Sequence, residues 1–362
     1  MGAVWGNNIK LSIFGESHGK GIGINIDGFG SGIEIDFDFL EKHMQRRAPG
    51  KNKFATARKE SDSVEILSGV YENITTGAPL CVFIPNGDTK SKDYSELKRK
   101  MRPSHSDYPA NIKYRGYNDV RGGGHFSGRL TAPIVFAGTL ARQILKSKGI
   151  EIYSHIKSIK NIEDVDINNG IDFEKLKNIE NLDFPVIDTE KETQMKEAIE
   201  NARSSGDSLG GVIECVAVGL KAGVGNPFFD SLESTIAHLM FSIPAVKGVE
   251  FGAGFDVTQF LGSEANDQYY YDENRKIKTY SNNNGGILGG ISNGMPINVK
   301  VAIKPTPSIG KGQKTIDIEA QENCELIVNG RHDPCIVPRA VVVVESMVAL
   351  AILDQLKGEN ND

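Results

Sequence analysis

Residues 75–85 read TTGAPLCVFIP: small polar residues, a Gly-X-Pro turn, then a short apolar run closed by a second proline. Glycine and proline punctuate, and the run Leu80–Ile84 between them has the length and composition of a strand. Residues 292–305, SNGMPINVKVAIKP, repeat the scheme, with Ile297–Ile303 as the strand. This single echo is compatible with a duplicated unit but does not by itself establish one. Val212–Gly219 and Leu11–Phe14 read as further strands.

Helical spacing predicts three helices between these runs. Phe37–Arg46 is amphipathic and opens on acidic residues, which suit the positive end of a helix. Leu130–Lys148 carries Leu130, Ile134, Val135, Leu140, Ile144 and Leu145 at helical intervals, with Pro133 in its first turn. Arg339–Leu356 reads as a largely buried helix, although Val341–Val344 taken alone reads equally as a strand. Residues 155–205 are rich in Asn, Asp, Glu and Lys and read as a polar excursion, with a helix near Glu190–Arg203. Helix and sheet are mixed along the chain, so the expected class is α+β (mixed α/β), with residues 1–362 as one large domain.

Composition narrows the function. The chain has 362 residues, 39% hydrophobic and 24% charged, enough to pack a core. No run approaches the ~20 apolar residues that span a bilayer. The N-terminus lacks a basic stretch followed by an apolar one, and four scattered cysteines form no CxxC pair. The expected location is therefore the cytoplasm, with free thiols and no membrane partner. A net charge of −6 argues against nucleic acid. The cations are nonetheless concentrated. Arg46, Arg47, Lys51, Lys53, Arg58 and Lys59 fall within residues 44–59 without one acid, and Lys98, Arg99, Lys100 and Arg102 form a second group. An acidic protein that gathers cations in short loops either builds a pocket for a small anion or simply solvates those loops.

Six motifs bear chemistry. GESHG, 15–19, sets His18 between glycines at a strand end, where backbones can approach a ligand closely. RGGGHFSGRLTAP, 121–133, is a glycine loop leading into a helix, a ready anion site that is neither a Walker loop nor a GxGxxG fingerprint. RPSHSDYP, 102–109, puts His105 in a proline-bounded loop beside Arg102. GRHDPCIVPRA, 330–340, offers Arg331 as an anion clamp and Asp333 as an acid or a structural ion pair. KPTPSIGKGQ, 304–313, is a lysine-led rigid loop, and NNNGGILGGISNG, 282–294, lets a planar ligand approach backbone. No HxxxH, HxH or CxxC pair supports a metal, and no GxSxG elbow supports a serine hydrolase. The residues describe an enzyme with a cationic pocket for a multiply charged small molecule, with His18, His105 and Asp333 as its candidate acids and bases.

Taken together, these stretches resemble the chorismate synthase family over nearly the whole chain. The resemblance is carried by FGESHGKGIGINIDGF (14–29), RRAPG (46–50), SGVYENITTGAPL (68–80), RPSHSDYPANIKY (102–114) and RGGGHFSGRLTA (121–132). It continues through GDSLGGVIECVAVGL (206–220), SIPAVKGVEFGAGF (242–255), NNNGGILGGISNG (282–294), KPTPSI (304–309) and GRHDPC (330–335). It implies a large single-domain sandwich of β-sheets and helices with internal βαβ-type repetition, assembled as a homotetramer. It implies a lyase that removes phosphate and a ring proton from 5-enolpyruvylshikimate 3-phosphate to give chorismate, requiring reduced FMN without net redox change.

By matching motifs, the resemblance implies His18 as proton donor near the flavin, His105 as general acid for the departing phosphate, and Asp333 as an aid to proton uptake by the flavin. Arg46, Arg47, Ser127, Arg129 and Arg331 would hold the substrate. Flavin contacts would fall on His125, Phe126, Ser127, Pro244, Ala245, Gly289, Lys304, Pro305, Thr306, Pro307, Ser308 and Arg331. Arg47 and Lys53 match positions linked to NADPH in some members, and a separate flavin reductase is the other source of electrons. Three positions depart from the family pattern: Ala48, the pair His125-Phe126, and Pro244, which removes a backbone N–H. Two rival readings are a histidine phosphotransferase, which needs no flavin, and a flavin-binding protein without turnover.

Overall fold

The two echoed strands hold equivalent places in two five-stranded sheets. The computed structural model describes residues 2–50, 62–87, 96–167, 173–328 and 333–359. The first unit runs β1 (Lys10–Gly15), β2 (Gly21–Asp27), α1 (Phe37–Arg47), β3 (Glu65–Ser68), β4 (Leu80–Pro85) and α2 (Thr131–Ser147). The second runs β5 (Glu151–Ile159), β6 (Gly211–Val218), α3 (Leu232–Ser242), β7 (Val246–Phe251), β8 (Ile297–Ile303) and α4 (Val337–Glu359). The sheet orders are β1-β2-β4-β3 and β5-β6-β8-β7, each extended at its first edge by a two-residue strand.

Every neighbouring pair in these sheets is antiparallel. Strands β2 and β3 therefore run parallel with β4 inserted between them, and β6 and β7 do the same around β8. The repetition is thus a split βαβ, not one with adjacent parallel strands. Even the irregularity repeats: the register shifts in the edge pairs, between Ile66 and Ser68 and between Val246 and Gly248.

Helix α2 packs on the first sheet, α4 on the second, and the two helices pack on each other, so the layers run sheet, helix, helix, sheet. Helix α4 is buried at every residue from Ala340 to Leu356. That settles Val341–Val344 as helix: packing on all sides overrides the β preference of four valines. The helices cross so closely that a Cβ on Gly138 would lie 2.1 Å from the Ser346 Cβ.

A buried ionic cluster pins α1, α2, β5 and α4 together. Glu345 accepts from Arg46 Nη1 and Nη2 at 2.7 and 2.9 Å, from Arg142 at 2.7 Å and from Ser154 at 2.7 Å. Arg142 also donates to Glu180 at 2.6 Å, and His43 Nε2 lies 3.2 Å from the same oxygen.

The polar excursion expected over 155–205 does not begin there, because His155–Ile159 is the second half of β5. His155 and Asp164, polar residues in that stretch, are buried and partnered. His155 Nδ1 meets Asp164 at 2.8 Å and its Nε2 meets Glu214 at 3.0 Å, while Asn298 donates to Glu214 at 2.8 Å. Burial opposes a charged imidazole, but the bonds to Asp164 and Glu214 outweigh it and raise the His155 pKa. A raised pKa stabilises the fold fully below the unfolded value of about 6.5, and that stability fades as pH rises through the folded value. Urea unfolding is therefore expected to show stability falling above pH ~6.5, and His155→Gln is expected to flatten that alkaline slope. A slope unchanged by the substitution would refute the assignment.

Candidate active site

The turn between β1 and β2 carries GESHG. Gly15 has φ +94°, and a Cβ there would lie 2.3 Å from the Gly21 carbonyl oxygen, so the hairpin closes only on glycine. The turn buries Ser17 and His18. Ser17 Oγ donates to the Arg121 carbonyl at 3.2 Å and lies 3.1 Å from His18 Nδ1, and Ser17 N donates to Gly124 O at 3.2 Å. These contacts seat the hairpin against the glycine loop 121–126.

Gly122, Gly123 and Gly124 all have positive φ. A Cβ on Gly122 would lie 2.2 Å from His18 Cε1, and one on Gly123 would lie 3.4 Å from His105 Cε1 and 3.5 Å from its Nε2. Two adjacent glycines thus form a saddle with a histidine on each flank. Ser127 follows, its Oγ accepting from Arg129 N at 3.2 Å to cap the next turn. His125 donates from Nδ1 to the Gly15 carbonyl at 2.8 Å, and the Phe126 ring is 37% exposed, 6.2 Å from Tyr114.

His105 sits on a loop leading into the short helix Asp107–Lys113. Its Nδ1 lies 2.6 Å from Asp107 Oδ1, and Asp107 is gripped by Arg102 Nε and Nη2, each at 2.7 Å. Burial works against that carboxylate, but Arg102 and His105 outweigh it and hold the Asp107 pKa well below the ordinary range. Arg102 Nη1 reaches Ser308 Oγ at 3.3 Å, and the Lys304 amine bonds to the Ser104 carbonyl. The expected flavin loop 304–308 therefore packs beside His105. Within it, Pro305 leads to Thr306, whose carbonyl accepts from Ser208 at 2.7 Å, and the Pro307 carbonyl accepts from Gln313 at 3.3 Å. Lys304 N bonds to Ala245 O at 3.0 Å, bringing in the Pro244-Ala245 turn, where Ala245 holds φ +75°. Burial, and then Lys247, lowers the Lys304 pKa.

Arg47 and Arg129 converge on one buried carboxylate, Asp62. Arg47 Nη1 is 2.6 Å from Asp62 Oδ2, and Arg129 bonds to Oδ1. Burial raises the Asp62 pKa, but the two guanidinium groups outweigh it and leave it lowered. Arg129 also donates to Asn86 Oδ1 at 3.2 Å, and Asn86 donates to the carbonyls of Glu16 and Gly19 at 2.9 and 3.1 Å. The arginine pair is thereby tied to the turn that holds His18. Asp333 pairs with Arg339 at 2.7 Å, and Arg339 donates to the Arg47 carbonyl at 3.1 Å.

The structure thus gathers His18, His105, Arg47, Ser127, Arg129, His125, Phe126, Pro244, Ala245 and 304–308 into linked loops, with Asp333 tied in through Arg339. Arg46 enters a different neighbourhood. Its guanidinium is spent on Glu345 and Glu180 inside the helical layers. Gly289 lies in the hairpin Ile287–Leu288 to Ile291–Ser292 with nothing within 4 Å of its Cβ position, and it is the next residue, Gly290, that packs against Asn226 and the first turn of α3. Arg331 and Lys53 lie outside the described residues. Sequence reasoning missed Asp62, Asn86 and Asp107; only Asp107, two residues from His105, left a local trace. His43, Glu180 and Glu345 bring three potential ligand atoms within 4.8 Å of one another. Arg46 and Arg142 already neutralise those carboxylates, so the group is an ion network.

A buried and a partly buried imidazole flanking a glycine saddle, with cations nearby, suit proton transfer to and from an anionic small molecule. A family model described as chorismate synthase matches residues 9–356. The chorismate synthase of Thermococcus kodakarensis is 46% identical over 351 residues, covering 97% of this chain and 96% of that one. That of Lachnoclostridium phytofermentans is 46% identical over 358 residues, covering 98% and 95%. A solved structure described as a crystal structure of chorismate synthase aligns with TM-score 0.77 at 30% identity, covering 98% of this chain and 93% of that one.

Proposed function

The chain belongs to the chorismate synthase family, carbon–oxygen lyases of aromatic amino acid biosynthesis, and from that premise we propose which residues perform the elimination. The substrate is 5-enolpyruvylshikimate 3-phosphate. A ring C–O bond breaks with its electron pair leaving on phosphate, a ring hydrogen is lost, and a new double bond remains in chorismate.

The observation that carries this reading is the saddle, Gly122 against His18 and Gly123 against His105. His105 donates a proton to the departing phosphate. His18, held by Ser17, would serve on the other flank as the proton donor to bound flavin. Each transfer contributes about 10²–10⁴ in rate. Arg47 and Arg129, sharing the single counter-charge of Asp62, would leave a net positive field for the substrate carboxylates, with Ser127 beside them and Arg331 as a further proposed clamp.

The residues fit reduced FMN. Phe126 offers a partly exposed ring, the saddle offers backbone without side chains, and Lys304 with Ser308 offers a cationic end for its phosphate. Reduced FMN when bound supplies electron density to the elimination, with no net redox change. Asp333, paired with Arg339, is the proposed aid to proton uptake by the flavin. NADPH through Arg47 and Lys53, or a separate flavin reductase, is the proposed electron source. The proposed assembly is a homotetramer, and exposed Phe228 and Phe229, at 85% and 93%, offer apolar surface to a neighbouring chain. The proposed location is the cytoplasm, where the four free cysteines would stay reduced.

The test is anaerobic turnover with FMN, with and without dithionite, following phosphate and chorismate together. Equal amounts of both, only with reduced flavin and reduced about 10²-fold or more in His105→Gln, are expected. Phosphate without chorismate, indifferent to flavin, would overturn the reading in favour of a phosphotransferase.

A further inference from the structure

We propose that Asp107 is a positioning residue that fixes the tautomer of His105 and aims its Nε2 at the glycine saddle. The inference rests on the reading of His105 as the acid for the departing phosphate. It begins with what surrounds the ring. Nδ1 has Asp107 Oδ1 at 2.6 Å and Ser106 Oγ at 3.4 Å, whereas Nε2 faces the open Cβ position of Gly123 at 3.5 Å. Asp107 cannot swing away. Arg102 grips both its oxygens at 2.7 Å, and the Arg102 backbone N–H adds a third bond at 3.1 Å.

An ionised carboxylate only accepts hydrogen bonds, so the Nδ1 opposite Asp107 carries the proton in every state of the ring. The consequence for the reaction is directional. When the Nε2–H bond breaks and the proton passes to the phosphate oxygen, His105 is left as the Nδ1–H tautomer with its lone pair facing the saddle. Asp107 stays ionised throughout. The ring needs no rotation to be recharged at Nε2 by solvent. Arg102 completes the device, because its remaining amino group reaches Ser308 and so ties the ring's orientation to the 304–308 loop. A neutral amide at 107 would reverse the logic: its NH₂ can donate to Nδ1, moving the neutral ring's proton to Nε2.

The experiment uses the whole enzyme in three variants, Asp107→Asn, His105→Gln and the double variant, together with ¹⁵N NMR of the histidine rings. Asp107→Asn is expected to lower kcat by about 10²-fold with little change in KM, and to move the His105 proton from Nδ1 to Nε2. In the His105→Gln background the same substitution is expected to cost almost nothing, because Asp107 acts through the ring. Asp107→Glu, which keeps the carboxylate, is expected to restore part of the rate. An equal loss in both backgrounds, or an Nδ1 proton indifferent to Asp107→Asn, would overturn the proposal and leave Asp107 as a structural partner of Arg102. If His105→Gln alone costs nothing, the acid role of His105 fails, and the NMR result then decides the positioning on its own.

Discussion

Gly122→Ala is expected to lower kcat by about 10²-fold or more, the scale set by an ångström of misplacement at a reacting group. The methyl would fall 2.2 Å from His18 Cε1, 2.3 Å from its Nδ1 and 2.8 Å from Ser17 Oγ, so the imidazole must move. The glycine's φ of +60° adds about 1–2 kcal/mol of backbone cost for any side chain. Gly123→Ala tests the other flank more gently, since its nearest neighbour is His105 Cε1 at 3.4 Å. Gly262→Ala, which meets nothing within 4 Å, is the control. Steady-state kinetics alongside thermal melting separates the contributions. A Gly122→Ala enzyme with normal kcat would show that His18 can leave the saddle without consequence.

The second large effect is on stability. Glu345→Gln is expected to destabilise the fold by about 3–5 kcal/mol, the cost of breaking a buried pair from one side. Two guanidinium groups, Arg46 and Arg142, would lose their shared counter-charge in the middle layers. Chemical denaturation measures the loss. Burial opposes ionisation of Glu345 and Glu180, but the surrounding cations outweigh it, and both carboxyl groups titrate below their ordinary value. Depressed carboxyls stabilise the fold above the unfolded value of about 4.3, and that contribution drains as pH falls through the folded values. The acid limb of the stability curve is therefore expected to flatten in Glu345→Gln. Activity per folded molecule is expected to stay near that of the parent, because the network holds no group of the saddle. A loss of turnover with unchanged stability would return Arg46 to the substrate.

Arg46 and Arg47 also show where a sequence can be read and where it stops. Leu40, His43, Met44 and Arg47 fall on one stripe of α1 at helical spacing, and all four are buried. Arg46 stands about 100° round the helix from Arg47, since 3.6 residues make a turn. The side chains thus enter different neighbourhoods, one facing Asp62 and one facing Glu345. Periodicity finds such a stripe, but it does not say what lies opposite.

Local chemistry was legible in the same way. The glycine loop, the two histidine turns and the strands Leu80–Pro85 and Ile297–Ile303 all announce themselves within a dozen residues. What stayed hidden depends on distant partners. Asp62 meets Arg129 across 67 positions, and His155 looks like a loop residue until Glu214 arrives from the next strand. Burial of a polar side chain is invisible when its counter-charge is supplied by tertiary structure.

Helix α4 is central in space yet last of the described elements in the chain. Its Asp354 takes hydrogen bonds from the backbone of Asn7, Asn8 and Ile9 at 3.2, 2.7 and 2.6 Å. During synthesis, then, the apolar flank of α2 and the inner face of the second sheet emerge from the ribosome well before the helix that covers them. At about 5–20 residues per second that interval lasts many seconds. The nascent chain spends it with its future interior uncovered, a target for chaperones and for its own neighbours on the polysome.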